Sequence, residues 1–338
     1  MPRLQFPHRL YSGMEAFDNI FDKDYESVLI ISDGNLSGKS GALIKLKRKF
    51  DSLLTRTEIF ISDDSQELFS QAKKYCDVHI PEAIIALGDG KTLDCGRAVS
   101  MLCEIPLVCV IETAPCALTE YNTQDMFLYK NTSDVCIIDP MFINISDSSK
   151  IAYEALGTAC LALESAVCGR DRYITAVASK AFYEIYKNIM PAYRGEISAR
   201  ENLCGAMYAS YTAYINSFDY SWQSASFRIA EFFSKWSSDR ISTLAACATG
   251  LAEYLNENFP DKFSALAKDM NLTPLHEIAP QFLIDEIRRI QATVSVPFAL
   301  KNYLIDENDF TACCAELSEE EKDLFYRCYY GKITFIKS

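Results

Sequence analysis

Residues 83–100 read AIIALGDGKTLDCGRAVS, and this stretch decides the fold. The apolar run Ala83 to Leu87 stops at Gly88-Asp89-Gly90, and apolar residues at helical spacing (Leu93, Ala98, Met101, Leu102) begin directly after it. That order predicts a strand, a glycine turn and a helix. Glycines at such a turn let a backbone approach a ligand closely, and the free amides of the following helix favour a phosphate. Thr92 is expected to cap this helix, with Asp94 in its first turn. A tight turn with no ligand is the competing reading of Gly88 and Gly90, so the surrounding sequence has to decide.

Outward from this stretch the same alternation repeats. Ser27 to Ser32, Thr57 to Ile61, Ala83 to Leu87, Leu107 to Ile111 and Val135 to Ile138 are short apolar runs closed by turn residues. Helical patterns lie between most of them: about Gly41 to Leu54, a helix capped by Asp63-Asp64-Ser65 that runs to about Tyr75, and the helix ending at Cys103. Strands apolar throughout and alternating with helices imply a parallel sheet covered on both faces. Tyr11 to Phe21 reads as a turn at Gly13 followed by a short amphipathic helix. The first half is therefore a doubly wound α/β domain, whose ligands sit beyond the carboxyl ends of its strands.

After Pro140 the composition changes, and from Ile151 onward only helical periodicity remains, punctuated by Pro191, Gly195, Pro260 and Pro274. The expected organisation is an α/β nucleotide-binding domain over residues 1–148 and an all-helical substrate domain over 149–338.

Bulk properties exclude several roles. The chain has 338 residues, 49% of them apolar, and a formal net charge of -13, which argues against nucleic acid or an anionic membrane as partner. Its 13 cysteines form no CxxC pair and most lie in apolar runs, so they read as reduced core residues of a cytoplasmic protein. The histidines are His8, His79 and His276, none near a cysteine cluster, which disfavours a zinc site of Cys/His type. No signal-peptide core and no run approaching the length of a membrane span is expected.

Other segments carry weaker chemistry. GNLSGKS (Gly34 to Ser40) ends in Gly-Lys-Ser, but three residues separate its first glycine from that triplet where a phosphate loop has four. Asp33, at the end of an early strand, can accept hydrogen bonds from a ribose diol and disfavour a 2′-phosphate, or serve merely as a turn residue. Thr113, Cys116 and Thr119 border the same crevice. Cys116 has no nearby histidine to act as base, which disfavours a nucleophilic role. Phe218 to Gln223 (FDYSWQ) is either helical core or the lining of a substrate pocket.

With this organisation in place, the sequence resembles the iron-containing (group III) alcohol dehydrogenases, the glycerol dehydrogenase branch most of all. Leu87-Gly88-Asp89-Gly90-Lys91-Thr92-Leu93-Asp94 is similar to that branch's phosphate loop, and Ser32-Asp33-Gly34 to its ribose-contacting turn. Tyr11-Ser12-Gly13 resembles the opening strand and turn, Pro106 to Ala114 the strand and threonine-rich loop, and Ser133 to Asp139 a later strand. The resemblance implies NAD, rather than NADP, held against Asp33, Gly34 and Asn35, against Gly88, Asp89, Gly90, Lys91, Thr92 and Asp94, and against Thr113, Cys116 and Leu118. It also implies a homodimer acting on a small-molecule substrate, a small polar alcohol or carbonyl compound.

In that family one aspartate and two histidines hold a divalent metal. By resemblance the aspartate position falls on Gly157, Thr158 or Ala159, and the histidine positions near Ser226 and Thr243, so the metal is expected to be absent. Tyr121, Tyr220 and Gln223 are then the candidate donors to a substrate oxygen. Asp89 replaces a glycine of the phosphate loop, and Glu112 a threonine of the loop after the fourth strand. The alternatives are a catalytically inactive relative with a nucleotide-binding or regulatory role, and a lyase or sugar-phosphate enzyme resembling dehydroquinate synthase.

Overall fold

The computed structural model describes residues 4, 6–34, 41–62, 64–116, 118, 133–143, 147–219, 223–302 and 305–331. The apolar runs form the sheet. Its strands are β1 (Arg9–Ser12), β2 (Ser27–Ser32), β3 (Arg56–Ile61), β4 (Ala83–Gly88), β5 (Leu107–Ile111) and β6 (Val135–Ile138). All neighbours are parallel, in the order β1-β6-β5-β4-β2-β3.

Side chains of a strand alternate between faces, so a fully apolar strand feeds two cores. Leu29, Ile31, Ile84 and Ala86 join the helices α2 (Ser65–His79) and α3 (Gly90–Cys103) on one face. Val28, Ile30, Ile85 and Leu87 meet α1 (Ala42–Ser52) and the 3-10 helix Ala16–Asp22 on the other. The first strand, RLYS, escapes the apolar pattern because it lies at the sheet edge and is largely exposed.

The rest of the chain is helical: α4 (Ser148–Cys168), α5 (Arg172–Tyr193), α6 (Ile197–Ser217), α7 (Ala225–Phe233), α8 (Arg240–Asn258), α9 (Pro260–Asp269), α10 (Ala279–Thr293), α11 (Glu307–Cys314) and α12 (Glu319–Tyr330). Pro191, expected to separate helices, lies within α5 instead, whereas Pro260 does mark a boundary: it opens α9 at the first helical position, where its missing N–H has no bond to lose.

α4 packs against α5 and α8. It is long and apolar enough to cross a membrane, contrary to the expectation that no run would be, yet 83% of its apolar window is buried inside the protein, which accounts for its composition.

Contacts divide the chain into one unit of Met1–Asp147 with Gly195–Tyr208 and another of Ser148–Arg194 with Ala209–Ser338. A single cut at 148/149 places Gly195–Tyr208 in the helical part; instead Cys204 and Tyr208 are buried in the core beside Cys109 and Cys136 of the sheet. None of the 13 cysteines is in a disulfide, and ten are buried.

Candidate functional site

The sheet order sets β2 beside β4, with Ser32 opposite Leu87. From β2 the chain moves outward to β3, and from β4 it moves the other way to β5. The gap between the carboxyl ends of β2 and β4 is therefore the topological switch point, where open α/β sheets take ligands. Asp33 leaves β2 here, and Gly88-Asp89-Gly90 leaves β4.

These residues touch. Asp33 Oδ2 accepts the Asp89 amide at 3.3 Å. Gly88 has φ 152°, and a Cβ on it would lie 2.5 Å from Asp33 Oδ2 and 3.1 Å from Thr92 Oγ1. Only glycine lets the two strand ends approach so closely.

The cap of α3 is Asp89, not Thr92. Asp89 is extended (φ -80°, ψ 179°) and directly precedes the first helical residue, so its side chain reaches the amides that Thr92, already inside the first turn, cannot. Asp89 Oδ1 accepts the amides of Lys91 at 3.1 Å and Thr92 at 3.2 Å, and the Thr92 hydroxyl at 3.3 Å. The carboxylate thus turns inward onto the helix N-terminus. Gly34 is exposed, Lys91 half-buried and Gly90 buried beside it.

Three residues expected against a cofactor are buried. Asp94 is fully buried and paired with Arg97 Nη1 at 3.0 Å. Cys116 and Leu118 are buried too, at 0% and 1% exposure, and burial pushes the Cys116 thiol far above its usual range. Glu112 donates its amide to Gly88 O at 3.3 Å, and Thr113 is buried, its carbonyl accepting from Cys204 Sγ at 3.8 Å. Asn35, Thr119, Tyr121 and Tyr220 lie outside the described residues.

In the second unit, Gln223 Oε1 accepts the Asp219 amide at 3.1 Å. It lines a cavity of about 440 Å³ together with Glu164, Arg170, Arg228, Tyr254 and Glu320. Glu164, to which the sequence reading gave no role, is 1% exposed. It accepts the amides of Ala225 and Ser226 and, at 2.8 Å, the Ser224 hydroxyl, which itself accepts from Tyr214 at 2.9 Å. The signal for it was an acid inside the apolar run LGTACLALESAVC.

Burial raises the Glu164 carboxyl above its ordinary range, while the surrounding hydroxyl and amide donors pull the other way. Glu164→Ala strands these donors and is expected to cost about 2–4 kcal/mol. Because the folded pKa exceeds the unfolded one, the proton-linked part of the Glu164 contribution is fully present below the unfolded value. It is lost as pH rises through the folded one. Urea unfolding of both proteins between about pH 4 and 7 should show the gap narrowing as pH rises; a gap that widens over this range overturns the assignment.

The positions that the resemblance assigns to metal ligands carry other chemistry. Gly157 packs on the Ile241 carbonyl, and the Thr158 hydroxyl donates to Glu154 O at 2.7 Å. Ala159 has no donor atom, Ser226 is buried with its amide on Glu164, and the Thr243 hydroxyl donates to Asp239 O at 2.8 Å. His8 pairs with Asp134, the His79 ring lies tilted by 33° against Tyr75, and His276 is exposed. Among the described residues no three His, Cys, Asp or Glu side chains are grouped to hold an ion.

No family model matches the sequence, and no curated protein matches it. Solved structures do. A 1,3-propanediol oxidoreductase superposes with a TM-score of 0.82 at 17% identity, over 97% of this chain and 100% of its own. An NADH-dependent butanol dehydrogenase from Thermotoga maritima gives 0.80 at 16%, over 97% and 98%. An iron-containing alcohol dehydrogenase from Thermococcus thioreducens gives 0.78 at 15%, over 97% and 99%. With its doubly wound α/β unit and its helical unit, the chain has the fold of the iron-containing alcohol dehydrogenases.

Proposed function

We propose that this chain binds NAD at the switch point of its sheet and acts as an oxidoreductase on a small polar alcohol or carbonyl compound, without the family's divalent metal. The observation that supports this most is the convergence of Asp33 and Gly88 on one spot, through the 3.3 Å bond from the Asp89 amide to Asp33. A carboxylate there suits a ribose diol and opposes a 2′-phosphate. Hydride transfer is the chemistry the nicotinamide supplies when bound. The chain's task is to orient the cofactor and stabilise the substrate oxygen through hydrogen-bond donors, Gln223, Tyr121 and Tyr220 being the candidates. A cytoplasmic homodimer belongs to the same proposal.

A second reading, a nucleotide-binding protein with a regulatory role and no turnover, is favoured by the missing donors at Gly157, Ser226 and Thr243. Calorimetric titration with NADH and NADPH, each with and without zinc or ferrous ion, separates the possibilities. Metal-independent NADH binding at least about tenfold tighter than NADPH, a difference of about 1.4 kcal/mol, is expected. Asp33→Ala should remove most of that preference. Binding of neither nucleotide under any condition sinks both readings; binding without turnover on a panel of alcohols and aldehydes selects the second.

A further inference from the structure

We propose that Asp89 sets the ligand specificity of the switch-point site, by holding a carboxylate in the seat that a cofactor pyrophosphate takes. The inference rests on the nucleotide-site reading above and adds to it a named determinant.

The first amides of an α-helix have no partner within the helix, and together with the helix dipole they make an anion seat. In α3 that seat is already filled. The amides of Lys91 and Thr92 and the Thr92 hydroxyl converge on one oxygen, Asp89 Oδ1, at 3.1 to 3.3 Å. The group that holds these two amides is a carboxylate, so it meets the positive end of the helix dipole as well as the hydrogen-bond donors. The amide of Asp89 itself is taken by Asp33 Oδ2, which fixes the backbone from which the side chain turns inward.

A pyrophosphate entering here meets two costs. It must displace the carboxylate to gain the amides, and it then shares a half-buried turn with that displaced charge and with Asp33. Neither cost falls on the adenosine part of the ligand, which calls on Asp33 and not on the helix amides. The site as encoded therefore accepts an uncharged nucleoside without hindrance and accepts a dinucleotide only against Asp89. Removing the charge should tighten NADH binding about 10- to 100-fold, the range expected for one like-charge pair at close range in a partly screened site.

The test uses the whole chain as wild type, Asp89→Gly and Asp89→Ser. Glycine empties the seat and is only slightly worse than Asp as a helix cap, whereas serine caps without charge. Calorimetry with adenosine and with NADH gives two affinities per protein, and thermal melting of each variant confirms that it is folded. The expected result is unchanged adenosine affinity in all three, with NADH tightened 10- to 100-fold in both variants. Unchanged or weaker NADH binding in the variants, with adenosine still bound, makes Asp89 a structural cap only and overturns the inference while leaving the site in place. If neither adenosine nor NADH binds any of the three, the site assignment falls and the inference with it.

Discussion

Gly88→Val abolishes NADH binding while leaving the chain folded: this is the largest functional effect expected of any single substitution. A side chain at residue 88 meets Asp33 Oδ2 at 2.5 Å, Thr92 Oγ1 at 3.1 Å and Thr92 Cβ at 3.2 Å, and φ there is 152°. The first branch of a valine must therefore push aside both arms of the site, the ribose-facing carboxylate and the first turn of α3. Overpacking of this kind costs about 1–3 kcal/mol, within the usual margin of about 5–15 kcal/mol.

Gly195→Ala is the control. It also has a positive φ, 92°, but open space around the added carbon, so it strains the backbone without touching the site. Calorimetry with NADH, beside thermal melts of both variants, gives the answer. A folded Gly88→Val protein with wild-type affinity removes the switch point from consideration as the nucleotide site.

The largest stability effect is expected at Arg97. Its guanidinium and the Asp94 carboxylate form a pair 3.0 Å apart whose side chains are 1% and 0% exposed. A buried ion pair contributes little net stability against an apolar pair of similar shape, because both charges were taken from water. Breaking it is another matter. Arg97→Leu leaves the Asp94 charge in the interior and should cost about 3–5 kcal/mol. The double variant Asp94→Leu with Arg97→Met should recover a large part of that loss. Urea unfolding of the four members of the cycle measures the coupling. A loss below about 1 kcal/mol for Arg97→Leu alone would show that the pair does not hold α3 in place.

Much of the first unit was legible because fully buried parallel strands advertise themselves. SVLIIS, LVCVI and VCII occupy the residues their apolarity marks, 27–32, 107–111 and 135–138. RLYS was not legible from its composition, since an edge strand needs no apolar alternation, and only the resemblance at Tyr11-Ser12-Gly13 pointed to it.

In the candidate site, the direction of the side chains was not readable. Asp89 was visible as a charge in a glycine loop, yet whether it points to solvent or to the α3 amides depends on backbone angles the sequence does not state. Asp94 looked like a helpful acid near a helix start, and tertiary packing buried it against Arg97 instead. The grouping of Gly195–Tyr208 with the sheet depends on contacts far apart in sequence, such as Cys204 with the Thr113 carbonyl. The expectation of missing metal donors, by contrast, came from the resemblance, set beside a sequence whose histidines are His8, His79 and His276.

The buried thiols of both units have a chemical consequence. Burial pushes those of Cys76 and Cys95 up to about 12 and those of Cys116 and Cys160 higher still. It is the thiolate that attacks alkylating and oxidising reagents, so at neutral pH the folded chain offers them almost no nucleophile at these four positions. Cys76, Cys95 and Cys116 belong to the α/β unit and Cys160 to the helical one. Each unit thus carries its own latent tag, silent while that unit stays closed and reactive when it opens.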